Sequence, residues 1–443
     1  MGGENNVTMK EKALVAHSLN HGKIEIIGKV PLDTGEDLSL YYTPGVAYPC
    51  LAIKDNPELS YEYTGRGNSI AIITDGTRVL GLGKIGAEAA MPVMEGKSLL
   101  FKKFSGINAV PLVISATEED EIVKFVKTVS PSFGGINIED IESPKVFNVV
   151  KRLEEELEIP VFHDDRYGTA VVVLAAMKNA LMLAGKRLGD SRIVINGAGS
   201  AGIGIAELLI DAGAKNLIMC DSRGIIYSGR AEGMNPTKEH IASLTNPKAM
   251  KGNLDDAARG ADVLIGVSIS GKFPDGMIGT MAEKPIVFAL SNPDPEITYK
   301  GAREAGAFII ATGRSDCPNQ INNYLVFPGV FKGLLSCRAR RINNRMLILA
   351  GNAIAKSVGK SLSVEKIVPD LQDLCKKNVT GMVAAAVVAG AIETGVARVK
   401  ADPKEVKRLT MKGVKRYSSI EKRCLRKKTD STSNSENKLG PAS

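Results

Sequence analysis

The chain has 443 residues, of which 44% are hydrophobic and 24% charged, a composition typical of globular proteins with two or three domains. None of the six cysteines forms a CxxC pair, which argues against a zinc or disulfide framework and favours a reducing compartment. The start, Met1–Lys12, is polar and has no signal-peptide pattern. The segment Val379–Ala397 is rich in Ala and Gly and contains Glu393, which favours a buried helix over a membrane span.

The formal net charge of +8 is concentrated near the C-terminus. Eleven Lys or Arg and two Glu lie between Lys404 and Lys428, so the remaining chain is close to neutral. A low-complexity stretch follows, and we therefore expect residues 404–443 to be a basic, disordered tail. Such a tail could tether the protein to nucleic acid or an anionic membrane. Because Tyr417 is its one aromatic residue, a solvated tail is the favoured interpretation, and we expect neither a membrane nor a nucleic-acid partner.

Hydrophobic periodicity predicts mixed strands and helices in residues 1–162. The predicted strands are Ile70–Thr74, Val110–Ile114 and Pro160–Phe162, and the predicted helices are Glu118–Val129 and Pro144–Leu157. We interpret this part as an N-terminal α/β substrate domain.

Beyond His163 the pattern changes to strands that alternate with helices. The predicted helices are Ala170–Ala184, Ile203–Ala212, Asn343–Ser357 and Gln372–Val399, and the predicted strands are Arg192–Ile195, Leu217–Cys220, Val263–Val267 and Ile286–Leu290. This alternation predicts that residues 163–403 form a Rossmann-type domain with a doubly wound parallel sheet. The expected fold class is therefore α/β.

A glycine motif, G-x-G-x-x-G, lies between the first predicted strand of this second domain and the next helix. Gly197 permits the tight turn, Gly199 leaves room for a pyrophosphate, and Gly202 allows the helix and strand to pack closely. Asp221 ends the next strand, nineteen residues after Gly202. With strand, helix and acid at these offsets, dinucleotide binding is favoured over a ligand-free turn. The predicted cofactor contacts in this region are Gly197, Gly199, Ser200, Ala201, Gly202, Asp221, Ser222 and Arg223.

Two acidic pairs, Glu139-Asp140 and Asp164-Asp165, each follow an apolar segment. Carboxylate oxygens are hard ligands that suit Mg²⁺ or Mn²⁺. On spacing alone two solvated acidic turns would be the default interpretation. His163 is left out of the proposed metal shell, because a lone histidine is more often a structural residue.

Taken in order, several motifs resemble the malic enzyme family. They are Tyr41–Val46 (YYTPGV), Thr74–Gly83 (TDGTRVLGLG), Pro92–Lys97 (PVMEGK), Asn137–Asp140 (NIED), His163–Ala170 (HDDRYGTA), the glycine motif, Ala289–Pro293 (ALSNP), Gln320–Asn323 (QINN) and Phe327–Gly329 (FPG). The matches run from about Asp33 to Arg398, nearly all of the chain except its tail.

The resemblance implies oxidative decarboxylation of L-malate to pyruvate and CO₂ with NAD(P)⁺ and a divalent metal, with oxaloacetate decarboxylation as a partial activity. It assigns Lys97 as general base, Tyr42 as general acid, and Asp164 as the partner that tunes Lys97. The implied metal ligands are Glu139, Asp140 and Asp165. The implied substrate contacts are Arg78, Asn292 and Asn323. The family resemblance also adds Thr169 and Asn292 to the predicted cofactor contacts.

The cofactor preference depends on Asp221 and Arg223. Asp221 favours a free ribose 2′-hydroxyl and thus NAD, whereas Arg223 could pair with the 2′-phosphate of NADP. The similarity of Asp221–Gly224 to NADP-using family members favours NADP slightly. We further expect a homodimer or larger homo-oligomer in the cytoplasm, with an organelle matrix as the alternative.

The chain departs from the common family pattern in three features, one of which is the basic tail. Arg166-Tyr167 stand where many members have Gln-His, and Lys84 stands where Asn or Asp is more usual. Because Arg166 and Tyr167 adjoin the predicted metal ligands, pocket shape or metal preference could differ. The competing enzyme class is another Rossmann dehydrogenase with a lysine base, such as an amino-acid dehydrogenase. The acidic cluster argues against that class, and sensitivity to EDTA would discriminate the two.

Overall fold

Two parallel sheets form the frame of the computed structural model, which describes the backbone of residues 8–436 and, apart from Leu80 and residues 420–436, their side chains. One sheet has the strand order β2-β1-β3-β4, and the other has the order β10-β9-β8-β5-β6-β7, with β7 antiparallel to β6. The strands are β1 Ser69–Thr74, β2 Asn108–Val113, β3 Ile136–Ile138, β4 Val161–His163, β5 Arg192–Asn196, β6 Asn216–Asp221, β7 Gly224–Ile225, β8 Val263–Gly266, β9 Ile286–Ala289 and β10 Ile309–Thr312.

Helices cover both sheets, and three further helices, the first three in the chain, lie on an exposed N-terminal arm. The helices are α1 Met9–Asn20, α2 Gly35–Tyr41, α3 Ala47–Asp55, α4 Ser60–Tyr63, α5 Ala87–Ser105, α6 Glu119–Val129, α7 Lys145–Glu156, α8 Thr169–Ala184, α9 Ser200–Asp211, α10 Pro236–Leu244, α11 Leu254–Ala258, α12 Asp275–Ile278, α13 Tyr299–Glu304, α14 Phe327–Ser336, α15 Asn344–Val358, α16 Leu371–Lys377, α17 Val379–Glu393 and α18 Pro403–Glu436. A π-helical turn, Asp164–Gly168, joins β4 to α8. Short 3₁₀ turns occur at Pro57–Leu59, Gly65–Asn68, Leu80–Leu82, Ser130–Ser132, Asn323–Leu325 and Gly359–Ser361.

Strand alternation divides the core of the N-terminal sheet between its two faces. Ile70 and Ile72 of β1 pack in the same cluster as Phe101 of α5, whereas Ile73 packs in the cluster of α6 and α7. All are fully buried, as expected for a central parallel strand that is covered on both faces.

The second sheet is wound in the same two-sided way. Ile193 and Ile195 of β5 share a core with α8 and α9, while Val194 packs in the cluster that includes α11, α12 and α13. This arrangement confirms the predicted α/β class and the Rossmann-type sheet. Apart from the helix Gln372–Val399, the predicted strands and helices are confirmed with small shifts at their ends, whereas β3, β10, α5 and α14 are among the elements that were not predicted.

Two predictions near the C-terminus are wrong. Gln372–Val399 is not one helix, because Asn378 adopts φ 52° and separates α16 from α17 at a bend of 72°. The segment after Pro403 is not disordered in the described residues, because it forms α18, whose Val406 and Thr410 are buried. Residues 437–443 of the predicted tail lie outside the described residues.

Among residues 8–436, one helical segment, Asp164–Ala184, is long and apolar enough by composition to cross a membrane, but 72% of its most apolar window is buried inside the protein. Burial within the fold is the ordinary environment of a core helix of this length. The pair α16 and α17 passes the same test only if the two bent helices are counted together. The five cysteines with described side chains, at positions 50, 220, 317, 337 and 375, are free.

The N-terminal arm, residues 8–60, contrasts with the rest of the chain. None of its residues is buried, although it contains α1, α2 and α3. Most of the exposed large hydrophobic side chains among the described residues lie on this arm, including Leu19, Ile26, Tyr42 and Tyr48. Lys23 attaches the arm to α5 through hydrogen bonds to Glu95 and to the carbonyl of Pro92.

Candidate active site

The two acidic pairs meet because β3 and β4 are neighbouring parallel strands. Ile138 is in register with His163, so Glu139-Asp140 and Asp164-Asp165 leave the sheet side by side at its carboxyl edge. Ligand oxygens of Glu139, Asp140 and Asp165 all lie within 4.8 Å of one another. The backbone N–H of Asp140, which adopts φ 51°, donates to Asp165 Oδ2 at 3.0 Å. The structure thus brings the predicted metal ligands together.

Lys97 reaches this cluster from α5. It lies three residues after Met94 and four before Phe101, so it shares the buried face of the helix and is only 9% exposed. Its Nζ pairs with Asp164 Oδ2 at 2.5 Å and with Glu139, and it lies 4.7 Å from the centre of the Phe327 ring. Burial acts to lower the pKa of Lys97, but the charges of Asp164 and Glu139 outweigh it and raise that pKa above its ordinary value.

The electrostatics of the cluster suit a divalent cation. The Lys97 ammonium group pairs with two carboxylates, Glu139 and Asp164, and Glu139 also lies close to the carboxylates of Asp140 and Asp165. Burial raises the pKa of Glu139 well above its usual range, and the three aspartates add to that effect against the opposing charge of Lys97. Asp164 Oδ1 is buried without a hydrogen-bond partner. A hard cation would relieve this repulsion, so the residues present fit Mg²⁺ or Mn²⁺.

Asn323 holds the other side of Asp164. Its Nδ2 donates to Asp164 Oδ2 at 3.1 Å, and its Oδ1 accepts from Thr169 Oγ1 at 3.2 Å. Gly168 is required at this point, because a Cβ atom there would lie 2.1 Å from Asp164 Oδ1. Asn323 and Thr169, predicted as substrate and cofactor contacts, therefore adjoin the pair of Asp164 and Lys97.

Arg78 and Asn292 lie at the exposed rim of the site. The backbone N–H of Arg78 donates to the carbonyl of Asp140 at 3.0 Å, which places Arg78 beside the acidic cluster. The loop of Asn292 packs on the loop that follows Arg78, since a Cβ at Gly81 would lie 2.5 Å from the Asn292 carbonyl oxygen. The rim therefore combines residues from both sheets.

The three motif glycines have distinct environments at the dinucleotide turn. Gly197 adopts φ 125°, and Gly202 packs so closely that a Cβ there would lie 1.8 Å from the Gly197 carbonyl oxygen. A Cβ at Gly199 would meet no atom within 4 Å, so this position faces open space. Ser200 and Ala201 begin α9, whose free N–H groups and dipole favour a pyrophosphate. The turn fits a dinucleotide.

The turn also contacts the N-terminal domain. Ser200 Oγ lies 2.6 Å from Ser143 Oγ, in the segment between the acidic pair Glu139-Asp140 and α7. This hydrogen bond therefore connects the dinucleotide turn to the chain segment that follows the acidic pair Glu139-Asp140.

Asp221 at the end of β6 is already fully hydrogen-bonded. Its Oδ1 accepts from Arg230 Nη1 and the Arg223 N–H, both at 2.9 Å, and its Oδ2 accepts from Arg230 Nη2 at 2.5 Å and Lys238 Nζ at 2.6 Å. Burial acts to raise the pKa of Asp221, but the hydrogen bonds from Arg230 and Lys238 outweigh it and lower the pKa to about 2. Sequence reasoning missed Arg230 and Lys238, and two basic residues soon after an acidic strand end were the available signal.

Arg223 and Ser222, predicted as cofactor contacts, are exposed beside Asp221. The guanidinium of Arg223 pairs with Glu232 at 3.0 Å and its side chain is 61% exposed. The carboxylate of Glu232 thus partly neutralises the charge of Arg223.

Tyr42 is the one predicted catalytic residue for which the structure shows no contact with the acidic cluster among the described residues. It follows α2 on the N-terminal arm and is 66% exposed. Within the described residues its side chain makes no hydrogen bond to Lys97, Asp164 or the three acidic residues of the metal group.

Comparisons with known proteins agree with this geometry. Residues 167–392 match the family model for the malic enzyme NAD-binding domain, and residues 21–121 match the model for the malic enzyme N-terminal domain. The bifunctional malic/malolactic enzyme of Bacillus subtilis is 49% identical over 92% of this chain and 98% of its own length. The NAD-dependent malic enzyme of Geobacillus stearothermophilus is 49% identical over 85% of this chain and 78% of its own length.

Solved structures show the same relationship. The malic enzyme from Pyrococcus horikoshii superposes with a TM-score of 0.91 at 44% identity, over 95% of this chain and 99% of that one. The similarity extends over both sheets and the C-terminal helices. It argues against the alternative class, an amino-acid dehydrogenase. The chain is therefore an oxidoreductase that belongs to the malic enzyme family.

Proposed function

We propose that the protein catalyses the oxidative decarboxylation of L-malate to pyruvate and CO₂, with reduction of NAD(P)⁺ and a requirement for Mg²⁺ or Mn²⁺. The observation that carries the proposal is the position of Lys97, which is buried against Asp164 and Glu139 beside the ligand group that Glu139 forms with Asp140 and Asp165. The proposal is further supported by the dinucleotide turn, whose Ser200 contacts Ser143 in the segment that follows Glu139 and Asp140. Decarboxylation of oxaloacetate is the expected partial activity.

The proposed metal ligands are Glu139, Asp140 and Asp165. When bound, the cation would polarise the C2 oxygen of malate and stabilise the negative charge that develops as CO₂ leaves. Asp165 is held in place by the backbone N–H of Asp140. Arg78, exposed at the rim, is positioned to pair with a substrate carboxylate.

Lys97 is the proposed base for the C2 hydroxyl proton, because it is buried at the cluster and oriented by Asp164, which Asn323 in turn orients. In the structure the carboxylates of Asp164 and Glu139 stabilise the ammonium form of Lys97. Glu139 belongs to both the ion pair and the metal group, so its use as a metal ligand would withdraw one of these charges from Lys97. Asp164 would remain as the group that holds the amine in place.

The proposed acid, Tyr42, leads to a proposal about assembly. An arm with no buried residue and many exposed apolar side chains is expected to pack against another surface. A second copy of this chain is the partner that also completes the chemistry, because each copy has Lys97 in its cluster and Tyr42 on its arm. We therefore propose a homodimer in which Tyr42 enters the site of the partner subunit and protonates the enol of pyruvate.

The preferred cofactor is NADP⁺. An ionised carboxylate has about four acceptor positions, and Asp221 uses four hydrogen bonds to Arg230, Lys238 and the Arg223 N–H. It cannot accept a ribose 2′-hydroxyl without releasing one of these donors. Three cations face two carboxylates, Asp221 and Glu232, at this end of the site, which favours a 2′-phosphate.

A steady-state assay with L-malate, Mn²⁺ and either NAD⁺ or NADP⁺ tests the proposal. We expect malate-dependent reduction of the dinucleotide that EDTA abolishes and Mn²⁺ restores. Reduction that EDTA leaves unchanged, or none with L-malate, would overturn it.

Because the cysteines with described side chains are free, a reducing cytoplasm suits the protein.

A further inference from the structure

Arg166 and Tyr167 occupy the π-helical turn Asp164–Gly168, directly after the proposed metal ligand Asp165. The Arg166 guanidinium leaves this turn toward α9, where its Nη2 pairs with Glu207 Oε2 at 2.6 Å. Both side chains are only 20% exposed, so the pair is largely removed from solvent. The metal-binding turn is thus joined by an ion pair to the helix whose first turn forms the dinucleotide site.

The same turn is held on its other side by α7. The Arg166 guanidinium lies 5.6 Å from the ring centre of Phe147, and Tyr167 Oη donates to Glu154 at 3.1 Å. Phe147 and Glu154 are seven residues apart, so they lie on one face of α7. Arg166 and Tyr167 therefore lie between a helix of the N-terminal domain and the dinucleotide helix.

The contact with α9 is close at the level of the backbone. A Cβ atom at Gly204 would lie 2.6 Å from both Arg166 Cγ and the Arg166 carbonyl oxygen. Glu207 lies three residues further along the same helix, so Gly204 and Glu207 present one face to the turn. A movement of α9 is therefore transmitted to the peptide that follows Asp165.

We propose that the pair of Arg166 and Glu207 is a positioning link that makes dinucleotide binding and divalent-metal binding cooperative. A dinucleotide that fixes the start of α9 fixes, through Glu207 and Arg166, the turn that carries Asp165. By thermodynamic reciprocity the metal then raises the affinity for the dinucleotide by the same factor. The inference rests on the proposed function, which assigns the two ligands to these two sites.

The test is calorimetric titration of the full-length protein with Mn²⁺, in the absence and presence of saturating NADP⁺. In the wild-type protein we expect NADP⁺ to lower the Kd for Mn²⁺ by about fivefold or more. Glu207→Gln keeps the shape of the side chain, touches neither ligand, and should bring this ratio close to one. Arg166→Lys can still pair with Glu207 and should retain part of the ratio.

Lys186→Gln is the matched control, because Lys186 pairs with Asp262 at 2.7 Å with similar exposure but joins other parts of the second domain. It should leave the ratio at its wild-type value. The link is refuted if both ligands bind the wild-type protein independently, or if Glu207→Gln retains the full ratio while folded. If the wild-type protein binds no Mn²⁺ even with saturating NAD⁺ or NADP⁺ present, the proposed function is overturned, and the link with it.

Discussion

Lys97 Nζ lies 2.5 Å from Asp164 Oδ2, and both side chains are nearly closed to solvent. Asp164 Oδ2 also accepts from Asn323, so one carboxylate oxygen connects α5 to the segment before α14. The amine is therefore held in a fixed place beside the acidic cluster, as a general base must be.

Lys97→Met should abolish malate oxidation, because the variant keeps the length of the side chain but cannot take the C2 hydroxyl proton. Loss of a general base typically lowers the rate by about 10²- to 10⁴-fold. Tyr42→Phe should instead impair formation of pyruvate from oxaloacetate more than reduction of the dinucleotide. The two half-reactions are followed separately by dinucleotide absorbance and by pyruvate release. Lys151→Met, on the exposed face of α7, serves as the control, and near-normal oxidation by Lys97→Met would disprove the assignment.

Mixed dimers test whether Tyr42 acts in the partner's site. Tyr42→Phe and Lys97→Met subunits are co-expressed, and random assembly makes half of the dimers mixed. If the tyrosine acts across the interface, each mixed dimer has one intact site and one doubly defective site, which restores about a quarter of the wild-type rate. If it acts within its own chain, every site has one defect and activity stays at the level of the parent variants. A monomer in solution with full activity would also refute the assembly.

Lys238→Gln should raise KM for NADP⁺ by about ten- to a hundredfold, since a lost charge-assisted contact typically costs about 1.5–3 kcal/mol. KM for NAD⁺ should stay the same or fall, because Asp221 regains an acceptor position for the 2′-hydroxyl. Arg223→Ala should have a smaller effect on NADP⁺, because Arg223 is exposed and paired with Glu232. Lys248→Gln, exposed in the same domain, is the control. Equal changes for both cofactors would show that Lys238 does not contact the 2′-phosphate.

Mn²⁺ should stabilise the protein against thermal unfolding, because it offsets the repulsion within the acidic cluster. A ligand at a hundred times its Kd adds about 2.7 kcal/mol to the stability of the folded state. The unfolding temperature is measured with EDTA and with increasing Mn²⁺. Asp165→Asn should reduce the shift, whereas Glu142→Gln, exposed and outside the ligand group, should preserve it. An equal shift in all three proteins would place the bound metal elsewhere.

Local patterns predicted much of this site. The glycine turn was visible because a strand precedes it and a helix follows. The acidic pairs were assigned to the site by the family resemblance, since their spacing alone favoured solvated turns. Arg230 and Lys238 were missed because they return to Asp221 from nine and seventeen residues away, through a loop whose course the sequence pattern does not specify. The break at Asn378 was missed because this single residue in the left-handed conformation separates two segments that each have a helical pattern.

The helix α18 and the position of Tyr42 escaped prediction for different reasons. The basic composition after Pro403 indicated disorder, yet Val406 and Thr410 provide a buried face for the start of the helix. The role proposed for Tyr42 depends on the proposed assembly, which a single chain does not determine. Residue type alone therefore predicts its chemistry but not the site it serves.

Product analysis tests the central claim most directly. The purified protein is incubated with L-malate, Mn²⁺ and NADP⁺, and pyruvate, lactate, CO₂ and NADPH are quantified together. Oxidative decarboxylation predicts pyruvate, CO₂ and NADPH in equal amounts, with Lys97→Met forming none of them. Lactate and CO₂ without net NADPH, or oxaloacetate as the end product, would contradict the proposed reaction.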